Sequence, residues 1–282
     1  RLNVAADPRR ELATDVHAQR QAAPEHELKP LRRAIDDRRG ARRVRADAGE
    51  RRIPISGLLQ LGPNAVEEGR ALLARGIRTV KIKVGASDAD AEAQMLTTLR
   101  RELGADFRIR LDANGVWSLD EARARIAQLA AAQLDIEFIE QPVPPRLLPR
   151  LGPCALPWAA DESLRDGHEA ALLRDAPGCA AFILKPAALG LRRARELALA
   201  AQEKGLGVVV THLFDGPIGL AAACELALSL PQPVRACGLD PHVGLSAWPA
   251  LELPHFDARE PGCIRTAPHS GLGFEKEGLP WI

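Results

Sequence analysis

Thr79-Val80-Lys81-Ile82-Lys83-Val84 decides how the rest of the chain is read. Apolar β-branched residues alternate with lysines, the period of a strand, so Lys81 and Lys83 project to the same side. Helical patterns flank it. Asn64 is placed to cap a helix running to about Arg75 and ended by Gly76, and another helix runs from about Asp88 to Glu102. Arg108-Ile109-Arg110-Leu111 is the next strand, and Ser118-Leu119-Asp120-Glu121 is a capping box that opens the next helix. Upstream, Arg52-Ile53-Pro54-Ile55-Ser56 is strand-like.

The alternation continues downstream. Ile136-Glu137-Phe138-Ile139 precedes a proline-rich turn from Pro142 to Pro149, and Trp158-Ala159-Ala160 is a strand that is weak by itself. Ala181-Phe182-Ile183-Leu184 leads to a helix from about Leu191 to Glu203. Gly207-Val208-Val209-Val210 leads to another from about Pro217 to Ser229, and a last short strand falls near Arg235-Ala236-Cys237. Strands separated by helices predict a parallel α/β barrel, although periodicity alone leaves a doubly wound sheet as a rival. An open-sheet nucleotide-binding protein is disfavoured, because no glycine-rich loop follows the first strand.

Charged groups fall at the carboxyl ends of these strands. Lys81 and Lys83 lie on one, Asp112 ends the next, and Glu140, Asp161 and Lys185 end the three after that. From Lys83 the steps are 29, 28, 21 and 24 residues, about one βα unit each. A barrel therefore brings them to one rim, where barrel enzymes build their sites. Each has an ordinary reading when taken alone. Asp112 can cap the Asn114-Gly115 turn, Glu140 can be a strand-end charge, and Asp161 can cap the helix after Ser163. Lys81 and Lys83 can be one face of a half-exposed strand, and Lys185 can be a surface lysine. The ordered series is more than chance decoration supplies. Three carboxylates from neighbouring strands suit a hard cation with oxygen ligands, Mg²⁺ first and Mn²⁺ as a substitute.

Lys81-Ile82-Lys83, Leu111-Asp112-Ala113-Asn114, Ile139-Glu140-Gln141-Pro142, Asp161-Glu162-Ser163 and Leu184-Lys185-Pro186 resemble the motif series of the muconate-lactonizing subgroup of the enolase superfamily. The match covers roughly Ile53 to Leu239. The resemblance implies a modified (β/α)₇β TIM barrel, with Asp112, Glu140 and Asp161 as Mg²⁺ ligands. It further implies Lys83 and Lys185 as an acid/base pair on opposite sides of a small carboxylate substrate. A lysine acting as base must be neutral, and neighbouring positive charge favours the neutral form of an amine. Lys83 is therefore assigned as the base and Lys81 as its tuning partner.

The later strands choose among the subgroup's reactions. Val209-Val210-Thr211-His212-Leu213-Phe214-Asp215-Gly216-Pro217 and Ala236-Cys237-Gly238-Leu239 are most similar to o-succinylbenzoate synthases of menaquinone biosynthesis. Those enzymes carry two serines where this chain has Thr211-His212. Dipeptide epimerases show an Asp-x-Asp pair that Asp240-Pro241-His242 does not supply. The synthase reading implies a syn dehydration of a succinyl-hydroxycyclohexadiene carboxylate, a carbon–oxygen lyase reaction. In it Lys83 removes the α-proton and then protonates the departing hydroxyl, while Lys185 stays charged on the opposite face. N-acylamino acid racemase, cycloisomerase and epimerase chemistry share these lysines, and a non-catalytic metal-binding barrel is the reading from another class. Asn114, Thr211, His212 and Gly238 are the candidate substrate contacts, with a packing role for His212 as its alternative.

The 282 residues suffice for one large α/β domain with a small appendage, at 46% apolar and 27% charged. Residues 51–240 form the expected barrel. Residues 1–50 lack strand patterns but hold helix-like stretches, notably Pro30 to Arg39, and Leu31 to Gly40 resembles the helix that ends the family's cap. They are read as a reduced or incomplete N-terminal α+β capping domain. Residues 241–282, rich in proline and glycine, are expected to pack on the barrel or cap as irregular structure. The net charge of +1 favours neither nucleic acid nor membrane as a partner, and self-association is left open. Five dispersed cysteines, no apolar run of about 20 residues and no signal-peptide core from Arg1 to Arg10 give the expectation of a soluble cytoplasmic protein.

Overall fold

Strands β1 (Arg52–Pro54) and β2 (Ser56–Leu59) begin the architecture. The computed structural model describes residues 51–274, apart from residues 232, 233, 250 and 270. The capping region expected over residues 1–50 lies outside the described residues. After β2 come α1 (Ala65–Ala74), β3 (Thr79–Lys83), α2 (Ala89–Leu103), β4 (Arg108–Asp112), α3 (Leu119–Ala131) and β5 (Ile136–Glu140). Then come β6 (Trp158–Ala160), α4 (Gly167–Arg174), β7 (Cys179–Leu184), the short α5 (Pro186–Leu189), α6 (Leu191–Glu203), β8 (Gly207–Val210) and α7 (Pro217–Ser229).

Strands β2 to β8 form one parallel sheet in sequence order. The segment after α7 then closes it. Gly238 N–H donates to Val210 O at 2.9 Å and Gly238 O accepts from His212 N–H at 3.2 Å, on the β8 side. Cys237 N–H donates to Pro54 O at 2.9 Å and Cys237 O accepts from Ser56 N–H at 2.7 Å, on the β1–β2 side. One short segment thus satisfies both edges, and the sheet becomes the expected barrel.

Strand alternation sorts the residues into two cores. Val80, Ile82, Ile109 and Leu111 point outward into the large apolar layer beneath the helices. Helix α7 is buried on nearly all sides, which its Ala- and Leu-rich sequence permits. Inside the barrel Phe138, Ala159, Ala181, Ile183 and Val209 make a small separate cluster. Below it, towards the amino ends of the strands, lies a charged layer. Arg110 Nε donates to Glu137 Oε2 at 2.7 Å and Arg110 Nη1 to Ala236 O at 2.6 Å, while Arg235 also pairs with Glu137. The Arg110 guanidinium lies 5.0 Å from the centroid of the Phe138 ring.

Several local expectations change. The Asn64 side chain makes no cap bond, and only its carbonyl enters α1, accepting from Glu68 N–H at 2.9 Å. The capping box at Ser118 is half formed: Ser118 Oγ accepts from Glu121 N–H at 3.2 Å, but the Glu121 carboxylate bonds Arg125 instead. The strand-like run Arg52 to Ser56 splits at Ile55, whose N–H donates to Gly262 O at 3.0 Å. The tail is not wholly irregular, because β9 (Cys263–Arg265) pairs antiparallel with β1. A three-residue strand paired far along the chain has no periodicity to reveal it.

Burial pushes the Glu137 carboxyl up, but Arg110 and Arg235 outweigh it and hold it below its ordinary range. A depressed folded-state pKa contributes stability above the unfolded value of about 4.3, lost as pH falls through the folded value. Glu137→Gln should therefore destabilise the chain by about 3 kcal/mol in urea unfolding at neutral pH. The difference from wild type should shrink as pH falls below about 4. A difference independent of pH would mean that Glu137 acts through packing rather than charge.

Candidate active site at the barrel rim

Register carries the strand-end charges to one rim. Lys83 pairs across with Asp112, and Asp112 with Glu140. Asp161 follows the last residue of β6, and Lys185 follows the last residue of β7. Asp112, Glu140, Asp161 and Lys185 are 1%, 2%, 5% and 8% exposed, so these charges are withdrawn from water and must compensate one another.

They do so in pairs. Lys81 Nζ donates to Asp112 Oδ2 at 2.8 Å and to Glu140 Oε1 at 3.1 Å. Lys185 pairs with Asp161 and stands 3.8 Å from Glu162 Oε1. Burial alone would lower the pKa of Lys81, but Glu140 and Asp112 outweigh it and raise the value above the ordinary lysine range. Burial raises the Glu140 carboxyl, Lys81 offsets this, and Asp112 and Asp161 push it up again. Lys81 therefore stands as counter-charge to two carboxylates. Lys83 is exposed at the strand end, and its side chain has no polar partner among the described residues.

Asp112, Glu140 and Asp161 could hold a hard divalent cation. All three are buried, they come from adjacent strand ends, and Glu140 lies within hydrogen-bonding reach of Asp161. Oxygen donors of this kind fit Mg²⁺ or Mn²⁺. As the side chains lie, among the described residues no three acidic, histidine or cysteine groups face one another as a ready-made metal centre. The Lys81 ammonium stands between Asp112 and Glu140, and the Lys185 ammonium lies against Asp161.

The remaining candidates divide. Asn114 is exposed in a left-handed conformation (φ 45°), and its N–H donates to Asp112 Oδ1 at 3.0 Å. Asp112 thus caps the turn with one oxygen and meets Lys81 with the other. Thr211 Oγ1 donates to Gly238 O at 3.0 Å, and a Cβ on Gly238 would lie 2.5 Å from that hydroxyl. This pair belongs to the seam that closes the barrel. Both nitrogens of His212 are taken by backbone: Nδ1 accepts from Phe214 N–H at 2.9 Å, and Nε2 donates to Asp240 O at 3.0 Å. These two bonds tie the His212 ring to its own loop and to Asp240.

Two groups inside the strand-end motifs went unassigned. Glu162 flanks Lys185, and Gln141 is fully buried at φ 40°. Neither residue type signals such a placement. Gln141, Asn114 and Phe214 give the rim three left-handed non-glycine residues, and such backbone concentrates at functional sites. A cavity of about 1600 Å³ opens at the opposite end, around Thr79, Arg108 and Arg235. Size does not locate the chemistry here, because the carboxylates and lysines stand at the carboxyl ends of the strands.

The model of the enolase C-terminal domain-like family matches residues 64–277. The chain belongs to that family. It is 35% identical to o-succinylbenzoate synthase of Thermobifida fusca (strain YX) over 194 residues, which cover 66% of this chain and 59% of that protein. It is 28% identical to L-Ala-D/L-Glu epimerase of Francisella tularensis subsp. novicida over 203 residues, covering 70% and 55%. The muconate lactonizing enzyme from Pseudomonas putida shares the fold at a TM-score of 0.67 and 24% identity, over 83% of this chain and 66% of that one. The chain thus spans between half and three fifths of the length of these curated relatives. The enolase-superfamily barrel expected from the motifs is the fold found, and no helix among the described residues is long and apolar enough to cross a membrane.

Removing Lys81 from this family member strands two buried carboxylates. Lys81→Met should cost about 3–5 kcal/mol in urea unfolding with a chelator present. Adding Asp112→Asn should recover part of the loss by discharging one stranded group. A double variant that simply sums the two single losses would show that the pair is not energetically coupled.

Proposed function

We propose that this chain is the barrel part of a Mg²⁺-dependent o-succinylbenzoate synthase-like dehydratase, acting by proton abstraction next to a substrate carboxylate. One observation carries the reading: lysines at the carboxyl ends of β3 and β7 flank three buried carboxylates at the ends of the strands between them. The o-succinylbenzoate synthase of Thermobifida fusca, at 35% identity, supports the choice of reaction over the epimerase at 28%. Asp240 points the same way, since its carboxylate is paired with Arg75 and not presented as a substrate anchor.

Lys83 is the proton-moving group in this reading. It is exposed at the mouth and free of ion pairs among the described residues, so its amine can reach a substrate α-carbon and later the departing hydroxyl. Lys185, held by Asp161 and Glu162, is the fixed cation on the far side. Lys81 donates to both Asp112 and Glu140 and offsets part of their burial. Asp112, Glu140 and Asp161 would hold the Mg²⁺, which when bound supplies Lewis-acid stabilisation of the charge that develops on the carboxylate. A cytoplasmic location, a small-molecule carboxylate substrate and self-association belong to the same reading.

A second reading has its own support in the epimerase relative, because paired lysines on opposite faces also suit exchange of an α-proton between enantiomers. Turnover assays with Mg²⁺ separate the two. With the succinyl-hydroxycyclohexadiene carboxylate, wild type should form the aromatic product, and Lys83→Ala should lose about 100-fold or more in kcat. No product, together with solvent exchange at the α-position of N-acylamino acids or dipeptides, would replace the dehydratase by the racemase or epimerase reading. Turnover in neither assay would leave a metal-binding barrel without catalysis.

A further inference from the structure

The rim contains a buried amide that neither the lysines nor the carboxylates account for. Gln141 lies between Glu140 and Pro142, is fully buried, and holds a left-handed backbone at φ 40° that a residue with a side chain seldom adopts. Every polar atom of its side chain is engaged. Oε1 accepts from Asp161 N–H at 3.1 Å and from Ser163 N–H at 3.2 Å. Nε2 donates to Val143 O at 2.8 Å and lies 2.9 Å from Ser163 Oγ. Its backbone extends the connection, with the N–H donating to Ala159 O at 2.9 Å and the carbonyl accepting from Gly115 N–H at 2.6 Å. Three strand-end loops, those after β4, β5 and β6, therefore meet at one residue.

Strand pairing explains why such a tie is needed. The ladder between β5 and β6 covers only Ile139 with Trp158 and Glu140 with Ala159. It is the shortest of the ladders that join β2 to β8. Strand β6 ends at Ala160, so Asp161 lies beyond the last paired residue, with its backbone already turned off the strand (φ −127°, ψ −89°). The ladder fixes Glu140 but leaves Asp161 unfixed. The side chain of Gln141 supplies the missing bond by gripping the Asp161 backbone from the residue next to Glu140. A cation bridging two carboxylates needs their separation held to a fraction of an ångström, which one short ladder does not give.

We propose that Gln141 is a positioning residue, which sets Asp161 relative to Glu140 so that the two carboxylates can hold one divalent cation. The inference rests on the reading of these carboxylates as the cation site. Its content is that cation affinity depends on an amide that touches neither cation nor substrate. Methionine has similar length and volume but cannot accept from the Asp161 and Ser163 N–H groups. Asparagine keeps the amide and shortens the reach.

The experiment measures Mn²⁺ binding to the full chain by electron paramagnetic resonance, below the melting temperature of every variant. Wild type, Gln141→Met and Gln141→Asn are compared with Ile126→Ala, a core truncation on α3 away from the rim. Gln141→Met should weaken Mn²⁺ binding by about tenfold or more, as loss of a group behind a metal ligand does. Gln141→Asn should also weaken it, while Ile126→Ala melts earlier and binds as wild type does. Should Gln141→Met not fold, Gln141→Asn is read by the same criterion. If a folded Gln141 variant binds Mn²⁺ like wild type, the positioning role is wrong and the cation site stands. An equal loss of affinity in Ile126→Ala would also overturn it, by showing that general destabilisation suffices. If wild type binds no Mn²⁺ while its relatives' conditions of pH and salt are met, the cation site itself falls, and this inference with it.

Discussion

A parallel sheet has two edges, and each presents a row of backbone N–H and C=O groups that must find partners once helices bury them. In this chain the segment around Cys237 and Gly238 meets both rows at once, bonding Val210 and His212 on one side and Pro54 and Ser56 on the other. Closure of the sheet makes the carboxyl ends of all the strands neighbours on a ring. Without it, Lys83 and Lys185 would sit on separate strands of an open sheet, with no enclosed mouth between them. The close fit of Thr211 Oγ1 against Gly238, where no Cβ can be placed, lies on this seam.

Closure also creates an interior, and the interior is layered by charge. A small apolar cluster around Phe138 separates the Arg110–Glu137–Arg235 layer from the lysines and carboxylates above it. Each charged layer is internally compensated, because an isolated buried charge would cost far more than the apolar cluster between them returns. The two layers differ in kind. Below, one carboxylate is shared by two guanidinium groups whose planar geometry holds it firmly. Above, three carboxylates are distributed between two flexible ammonium groups.

Membership of the enolase C-terminal domain-like family gives these layers their context. The rim holds the left-handed residues Asn114, Gln141 and Phe214, a kind of backbone that concentrates at functional sites. His212 shows the same logic from the packing side. Its imidazole spends both nitrogens on backbone groups of Phe214 and Asp240, so a residue that looks reactive by type is a loop fastener by contact.

How much of this could be read from the chain alone depends on the range of the forces involved. Alternation in Thr79–Lys83, the turn residues between strands and the near-regular spacing of Lys83, Asp112, Glu140, Asp161 and Lys185 are local patterns. They determined the barrel and its charged rim by themselves. The pairing of Lys81 with Asp112 and Glu140 was not legible, nor was the grip of Gln141 on Asp161 or the short strand at Cys263–Arg265. Side-chain partners are chosen across strands, by desolvation that forces each buried charge or amide to take whatever complementary group the closed barrel brings within about 3 Å. Sequence order placed the residues on the ring. Only the tertiary structure decided which of them touch, because that choice is made by distances through space that no periodicity encodes.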